Sequence, residues 1–243
     1  MKSTSISPED LAALRQVDTP TVCNVIETFD RQPRESGYMD HRIKACFPEM
    51  PPSVGFACTA AFRGAMRLDV PEGYAAIEQQ VARLQEMAVP AIMVFQDLDD
   101  PAVAATFGEI MCTAYQKFGA VGLITSGAAR DLAQVRRINF PVFSRSVICS
   151  HGHSQIVDLD TVVRVGGLDV RPGDLLHADC NGVTRIPLEI ASRVAQACAE
   201  YIAAEEVILS YLKQDTVSLA GFSTARKAGM DRIKAMYERN RKP

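Results

Sequence analysis

No apolar run in this sequence is long enough to span a bilayer; the longest, AVPAIMVF at 88–95, is the length of a strand. The opening stretch, MKSTSISPEDLAAL, lacks the apolar segment of a signal peptide. The seven cysteines (Cys23, Cys46, Cys58, Cys112, Cys149, Cys180 and Cys198) are scattered, odd in number and form no CxxC. Free thiols in a reducing cytoplasm are therefore expected, with no membrane involved. A basic face is lacking too: net charge is −3, and the one basic concentration, RKAGMDRIKAMYERNRKP at the end, alternates its charges like a solvated helix. Nucleic acid is not the expected partner. The segment GGLDVRPGD lacks the GK[ST] and following helix of a phosphate loop, and GAVGLITSG does not open a helix as a dinucleotide fingerprint would. Repeats, low-complexity tracts and a dividing linker are all missing.

What is there suits one α/β domain over 1–243 with helical ends. Hydrophobic residues make up 47% of the 243 and charged residues 23%, enough for a sizeable core. A short helix over 8–16 is opened by Ser7 and Pro8, and a second begins at Thr19-Pro20. Residues 31–53 read as irregular, and GFACTAAFR (55–63) as a strand. Tyr74, Ile77, Val81 and Leu84 repeat at helical spacing and predict a helix over 73–87. AIMVFQD (91–97) is a buried strand, GEIMCTAYQKFG (108–119) a helix closed by Gly119, and AVGLIT (120–125) a second buried strand. That order implies a parallel pair joined by a crossover. LAQVRRI makes a short helix, and from residue 155 short segments separated by GG, RPGD and NG predict a β-rich half. A long helix starts at Pro187 and carries Ile190, Val194, Ala197, Tyr201, Ile208 and Leu212.

Two places carry chemistry. At Gly108–Met111 a glycine opens a helix after a loop, and first-turn N–H groups, here those of Ile110 and Met111, suit a carboxylate or phosphate. Glu109 is then an acid in that turn, or simply a complement to the helix dipole. The second place is Arg130-Asp131, which follows the strand GLIT and the small residues SGAA. Open α/β sheets place ligands beyond the carboxyl ends of their strands. Glycine and alanine before the pair admit a substrate close to the backbone. Arginine's planar fork matches a carboxylate, and aspartate offers hard oxygen to a divalent cation. The plainer reading is a surface ion pair, with Asp131 capping its own helix.

An acid, twenty residues, then Arg-Asp: on this spacing the chain resembles the RraA-like proteins and the 4-hydroxy-4-methyl-2-oxoglutarate aldolases. The resemblance runs from about Thr19 to Glu189 through DTPTVCNVIE, GFACTAAFRG, FGEIMCTAYQKFGAVGLITSGAARDL, NFPVFSR and GGLDVRPGDLLHADCNGVTRIP. The aldolases have aspartate where this chain has Glu109, and match at Arg130 and Asp131. The resemblance implies an α/β/β sandwich of the swivelling phosphohistidine-domain type, with a core over about 19–189 and C-terminal helices over about 187–240. It implies a homotrimer or homohexamer with sites near subunit interfaces. It further implies that Arg130 holds the carboxylate of a pyruvyl group, joined by backbone N–H groups at Gly108–Met111, and that Asp131 holds Mg²⁺ or Mn²⁺. The implied activity is cleavage of 4-hydroxy-4-methyl-2-oxoglutarate or 4-carboxy-4-hydroxy-2-oxoadipate to pyruvate, with Glu109 assisting the base and with oxaloacetate decarboxylation as a side activity. The metal route agrees with the lysines, none of which sits in a buried strand. Two rivals are a non-enzymatic regulator that binds ribonuclease E, and a lyase or decarboxylase acting on another 2-oxo acid.

Lesser candidates complete the inventory. Cys149, His151 and His153 alternate as zinc ligands on a strand would, but match no common zinc spacing and read as a polar loop, with His151 a possible lining residue. Asp179 and Asn181 are expected to shape the turn before Gly182, with His177 facing a subunit interface and Cys180 beside them. Asp97, Asp99 and Asp100 stand beyond a strand end, as solvated loop acids or supports for the site. The segment past residue 213 is expected to cap a neighbouring subunit.

Overall fold

In a computed structural model, which describes residues 6–67, 69, 76–87 and 90–241, the chain forms seven α-helices and twelve strands among those residues. In order these are α1 (Pro8–Leu14), α2 (Thr19–Glu27), β1 (Lys44–Ala45), β2 (Ser53–Arg63), α3 (Ile77–Met87), β3 (Ala91–Asp97), α4 (Glu109–Lys117), β4 (Ala120–Thr125), β5 (Ala128–Ala129), α5 (Leu132–Arg137), β6 (Val142–Ser144), β7 (Ser146–Val147), β8 (Gln155–Leu159), β9 (Val163–Val165), β10 (Leu168–Val170), β11 (Leu175–Asp179), β12 (Gly182–Ile186), α6 (Ala191–Leu212) and α7 (Leu219–Asn240). Residues 36–186 form one unit, and 1–35 with 187–243 the other.

The first unit is an α/β unit built on a mixed sheet in the order β1-β6-β4-β3-β2-β11-β12, with β8 also paired to β2. β2, β3, β4 and β6 run parallel, and the β3–α4–β4 crossover expected from the sequence is present. β11 and β12 add antiparallel strands at one side. Both faces of β3 are covered, which is why it reads as a continuous apolar run. Met93 and Phe95 enter a core with Met111, Cys112 and Tyr115 of α4, while Ile92 and Val94 enter a second core with Val163, Val165 and Val170 of β9 and β10.

Three local expectations change. β1 falls inside the stretch read as irregular, held by antiparallel pairing of Lys44 and Ala45 with Ser144 and Phe143. On α3, Leu84 is buried but so is Gln80, at 1% exposure, because the Tyr115 hydroxyl meets Gln80 Oε1. Ile77 and Val81 pack at the core edge, and the expected contribution of Tyr74 and the helix start lies outside the described residues.

In the helical unit, Ser7 and Asp18 cap α1 and α2 through Asp10 N–H and Thr21 N–H. The C-terminal helix does not start at Pro187, whose ψ of 126° is extended; a 3₁₀ turn over Leu188–Ile190 comes first. The helix then runs to Leu212, the last of its expected apolar positions, and a second C-terminal helix follows. Ser218 caps that helix, α7, by accepting from Gly221 N–H at 3.1 Å. α7 turns its buried face to α6 of its own chain, where a Cβ on Gly229 would lie 2.9 Å from Ala204 O. Asn240, 5% exposed, donates from Nδ2 to Thr28 Oγ1 at 2.8 Å. No helix among the described residues is long and apolar enough to cross a membrane.

Candidate active site

Two arms of chain leave the carboxyl ends of neighbouring parallel strands and run together. One continues from β3 to the start of α4; the other continues from β4 to Arg130 and Asp131. They are joined by a parallel bridge between Ala105 and Ala128 and by Thr106 N–H donating to Ala128 O at 2.9 Å. Beneath the bridge the base is dry. Thr106 and Thr125 are 3% and 0% exposed, and their hydroxyls are 3.0 Å apart, with Gly127 N–H donating to Thr125 Oγ1 at 3.0 Å. A Cβ on Gly127 would lie 2.6 Å from Asp97 Oδ2 and 2.8 Å from Thr106 Cγ2. The small residues before the Arg-Asp pair thus let the arms pack on each other. This corrects the expectation that they admit a substrate to the backbone, since Ala128 and Ala129 are fully buried.

The arms bring the predicted residues to one mouth. Gly108 is the N-cap of α4, in extended backbone any residue could adopt. Its lack of a side chain matters for space, because a Cβ there would sit 2.5 Å from Asp131 Oδ2 and 3.0 Å from Arg130 Nε. Asp131 is at φ 54°, ψ 34°, a left-handed conformation that costs a non-glycine residue free energy and that aspartate tolerates better than most. The expected cap on its own helix is not made. Instead its Oδ2 accepts from Glu109 N–H, the first amide of α4, at 3.0 Å, while Arg130 Nε stands 3.8 Å from the same oxygen. The side chains of Arg130 and Asp131 are 19% and 34% exposed, so the pair is half-buried in the crevice. Glu109 and Ile110 are exposed beside it and Met111 is buried.

Cys112 lies beneath this mouth. Burial, and then the negative charge of Asp131, hold its thiol well above the usual range, so it does not supply a thiolate. The described lysines (Lys44, Lys117, Lys213, Lys227 and Lys234) are all exposed, and none is desolvated as a Schiff-base lysine would be; Lys2 and Lys242 lie outside the described residues. Among the described residues no group of three or more His, Cys, Asp or Glu side chains is arranged to hold a metal ion. A hard cation of the Mg²⁺ type, which keeps several waters and takes one or two carboxylates, would find one half-buried carboxylate here, that of Asp131. With Oδ2 of Asp131 turned to α4, no donor among the described residues meets Oδ1.

Sequence reasoning missed a second cleft at the same strand ends, of about 290 Å³, whose lining includes Arg42, Arg145, Arg164 and the acids Asp97, Asp99 and Asp100. Here charges neutralise one another. Arg42 pairs with Asp40 at 2.6 Å, Arg145 with Asp100 at 2.9 Å and Arg164 with Asp169 at 2.8 Å. Asp99 accepts from the N–H groups of Gly64 and Ala65, at 2.7 and 2.9 Å. Burial, and to a lesser degree the charges of Asp99 and Asp100, raise Asp97 to about 6. The signal in the sequence was the QDLDDP cluster, but its arginine partners come from far along the chain.

The remaining candidates lie elsewhere. Cys149, His151 and His153 are exposed on the loop after β7 rather than on a strand. His177 does not face a subunit interface: it is fully buried in β11, between Val54 and Thr184. Asp179 shapes the turn as expected, accepting from Asn181 N–H at 2.8 Å, and Gly182 follows at φ 134°.

Comparison with known proteins agrees with this architecture. The family model for RraA-like proteins, described as Aldolase/RraA, matches residues 22–185. A protein of Halalkalibacterium halodurans named a putative 4-hydroxy-4-methyl-2-oxoglutarate aldolase is 29% identical over 120 residues, 49% of this chain and 57% of that protein. The chain thus spans little more than half of that relative's length. Among solved structures, an uncharacterized protein from Pseudomonas syringae pv. tomato str. DC3000 superposes with a TM-score of 0.72 at 20% identity, covering 93% of this chain and 97% of the other. Streptomyces coelicolor RraAS2, described as an unusual member of the RNase ES inhibitor RraA family, gives 0.66 at 21% identity, covering 82% and 95%. At these identities the structural likeness shows the fold.

Proposed function

The chain belongs to the RraA-like family, and on that premise we propose that it is a divalent-metal-dependent lyase releasing pyruvate from 4-hydroxy-4-methyl-2-oxoglutarate or 4-carboxy-4-hydroxy-2-oxoadipate. The observation that carries this reading is the hydrogen bond of 3.0 Å between Glu109 N–H and Asp131, which joins the acid, the arginine and the start of α4 in one crevice. A pure binding protein gains nothing from a half-buried Arg-Asp pair held there.

In this reading Arg130 binds and orients the carboxylate of the 2-oxo acid, with the N–H groups of Ile110 and Met111 completing that subsite. Asp131 holds Mg²⁺ or Mn²⁺, which supplies Lewis-acid polarisation of the keto group. Glu109, beside the crevice, serves the proton that leaves the 4-hydroxyl as the C3–C4 bond breaks. Arg130 stabilises the negative charge that develops on the departing pyruvate enolate. The same arrangement would decarboxylate oxaloacetate. The swivelling phosphohistidine-type sandwich, a single functional domain over 1–243, a homotrimer or homohexamer and a cytoplasmic setting belong to the same proposal.

The test is to incubate the protein with 4-hydroxy-4-methyl-2-oxoglutarate and Mg²⁺ and to follow pyruvate with a coupled dehydrogenase. Chelator-sensitive turnover that disappears in Arg130→Ala and Asp131→Ala supports the reading. Turnover that survives both substitutions rejects the site. Failure with every 2-oxo acid, together with inhibition of ribonuclease E, would favour the regulator.

A further inference from the structure

Asp131 stands at the N-cap position of α5, yet its carboxylate serves a different helix. Three observations set it there. Its backbone is left-handed, at φ 54°, which directs the side chain away from the first turn of α5. Gly108 has no side chain where a Cβ would lie 2.5 Å from Oδ2. Oδ2 then accepts from Glu109 N–H at 3.0 Å, so α4, whose own N-cap has no side chain, is capped from the other arm.

We propose that Asp131 is a positioning residue for the amino end of α4, in addition to any role with a cation. By holding Glu109 N–H it fixes the first turn of α4 against Arg130, and so aims the next two amides, those of Ile110 and Met111, at the place where a carboxylate would sit. One carboxylate oxygen is committed to the helix, and the other accepts from no donor among the described residues. The ligand part of this inference rests on the 2-oxo acid reading above; the capping part stands on the hydrogen bond alone.

The left-handed backbone supplies three variants that separate the contributions. Asp131→Asn suits that conformation and keeps an oxygen acceptor while losing the charge. Asp131→Gly suits the conformation and has no acceptor. Asp131→Ala lacks the acceptor and is strained there as well. Amide hydrogen exchange of the full, metal-free chain, resolved over residues 107–113, reads the cap directly. Wild type and the Asn variant are expected to protect Glu109 N–H alike. Gly and Ala are expected to exchange it about tenfold faster, the loss of one charge-assisted hydrogen bond. Pyruvate, titrated into the same metal-free proteins and followed by amide shifts at Ile110 and Met111, should perturb wild type and Asn alike, and Gly far less.

Unchanged exchange at Glu109 in the Gly variant overturns the proposal. So does an Asn variant that exchanges as fast as Gly, because the acceptor oxygen would then not be what holds the helix. If pyruvate perturbs no amide in any of the proteins, without metal or with added Mg²⁺, while the exchange pattern is as expected, the 2-oxo acid reading fails and the positioning of α4 by Asp131 stands.

Discussion

At the carboxyl ends of β3 and β4 lie a cleft of about 290 Å³ and the Arg130-Asp131 pair, both built of arginine and aspartate, but they differ in how their carboxylates are held. In the cleft of about 290 Å³, three arginines are each matched by an aspartate and Asp99 is taken up by two backbone N–H groups. In the crevice between the arms, one carboxylate oxygen is committed to Glu109 N–H and the other meets no donor among the described residues. The arginine there is about half as exposed as Arg145, at 19% against 37%. A candidate site is recognised by how the fold holds its polar groups as well as by the space beside them.

The sharpest way to break this contrast is to remove one arginine from each side. Arg130→Ala is expected to lower kcat/KM for pyruvate release by about 1000-fold, as loss of a donor to developing charge does. Arg145→Ala, which breaks a half-exposed ion pair, should change it by less than about threefold. Equal losses would erase the distinction between the clefts. Next in size is Gly108→Ala. The new methyl meets Asp131 Oδ2 and Arg130 Nε, and only movement of these two side chains or of the helix start relieves it. A displacement on the order of 1 Å should cost about 100-fold in kcat/KM. A smaller loss is expected from Thr106→Val, which keeps the shape of the dry base but removes the buried hydroxyl that donates to Thr125 Oγ1 or Ala128 O, leaving each with its backbone N–H donor alone. About 1 kcal/mol of stability should go with it, a fall in melting temperature of about 3 °C, and Thr106→Ser should restore most of it.

Much of this was legible in the sequence because the signals were local. The apolar runs 91–97 and 120–125 on either side of a glycine-opened helix specified the parallel crossover, and with it the meeting of Glu109, Arg130 and Asp131 at one strand-end mouth. What was not legible depends on pairs remote in sequence or on backbone conformation. The spacing of Ile77, Val81 and Leu84 gave no sign that Gln80 would be buried with them, because its partner, the Tyr115 hydroxyl, is remote in sequence. The SGAA stretch looked like room for a ligand, and only Asp97 and Thr106 packed against Gly127 reveal it as a seam between two arms. Asp131 looked like a cap for the helix that follows it, since a left-handed φ at one residue leaves no periodic trace. His177, in a strand of alternating appearance, gave no hint that antiparallel partners close over it from both sides.

The smallest expected effect probes the neutralised cleft by its pH dependence. Asp97 is raised to about 6, first by burial and then by the charges of Asp99 and Asp100, against an unfolded value near that of an ordinary aspartate. Between about pH 4 and 6 the folded chain therefore holds a proton at this side chain that the unfolded chain has released. The stability this contributes is complete below that window and is lost as pH rises through 6. Asp97→Asn cannot ionise, and it keeps an oxygen for the Asp99 N–H that Asp97 Oδ1 accepts at 3.0 Å. Thermal melts should then show the variant level with wild type at pH 4 and about 3 °C more stable at pH 8, a difference reduced by the half-exposed setting of the group. A gap that stayed constant from pH 4 to pH 8 would mean that Asp97 is as well solvated as the acids around it, and the contrast between the two places would then rest on the Asp131 carboxylate and on the two arginine substitutions.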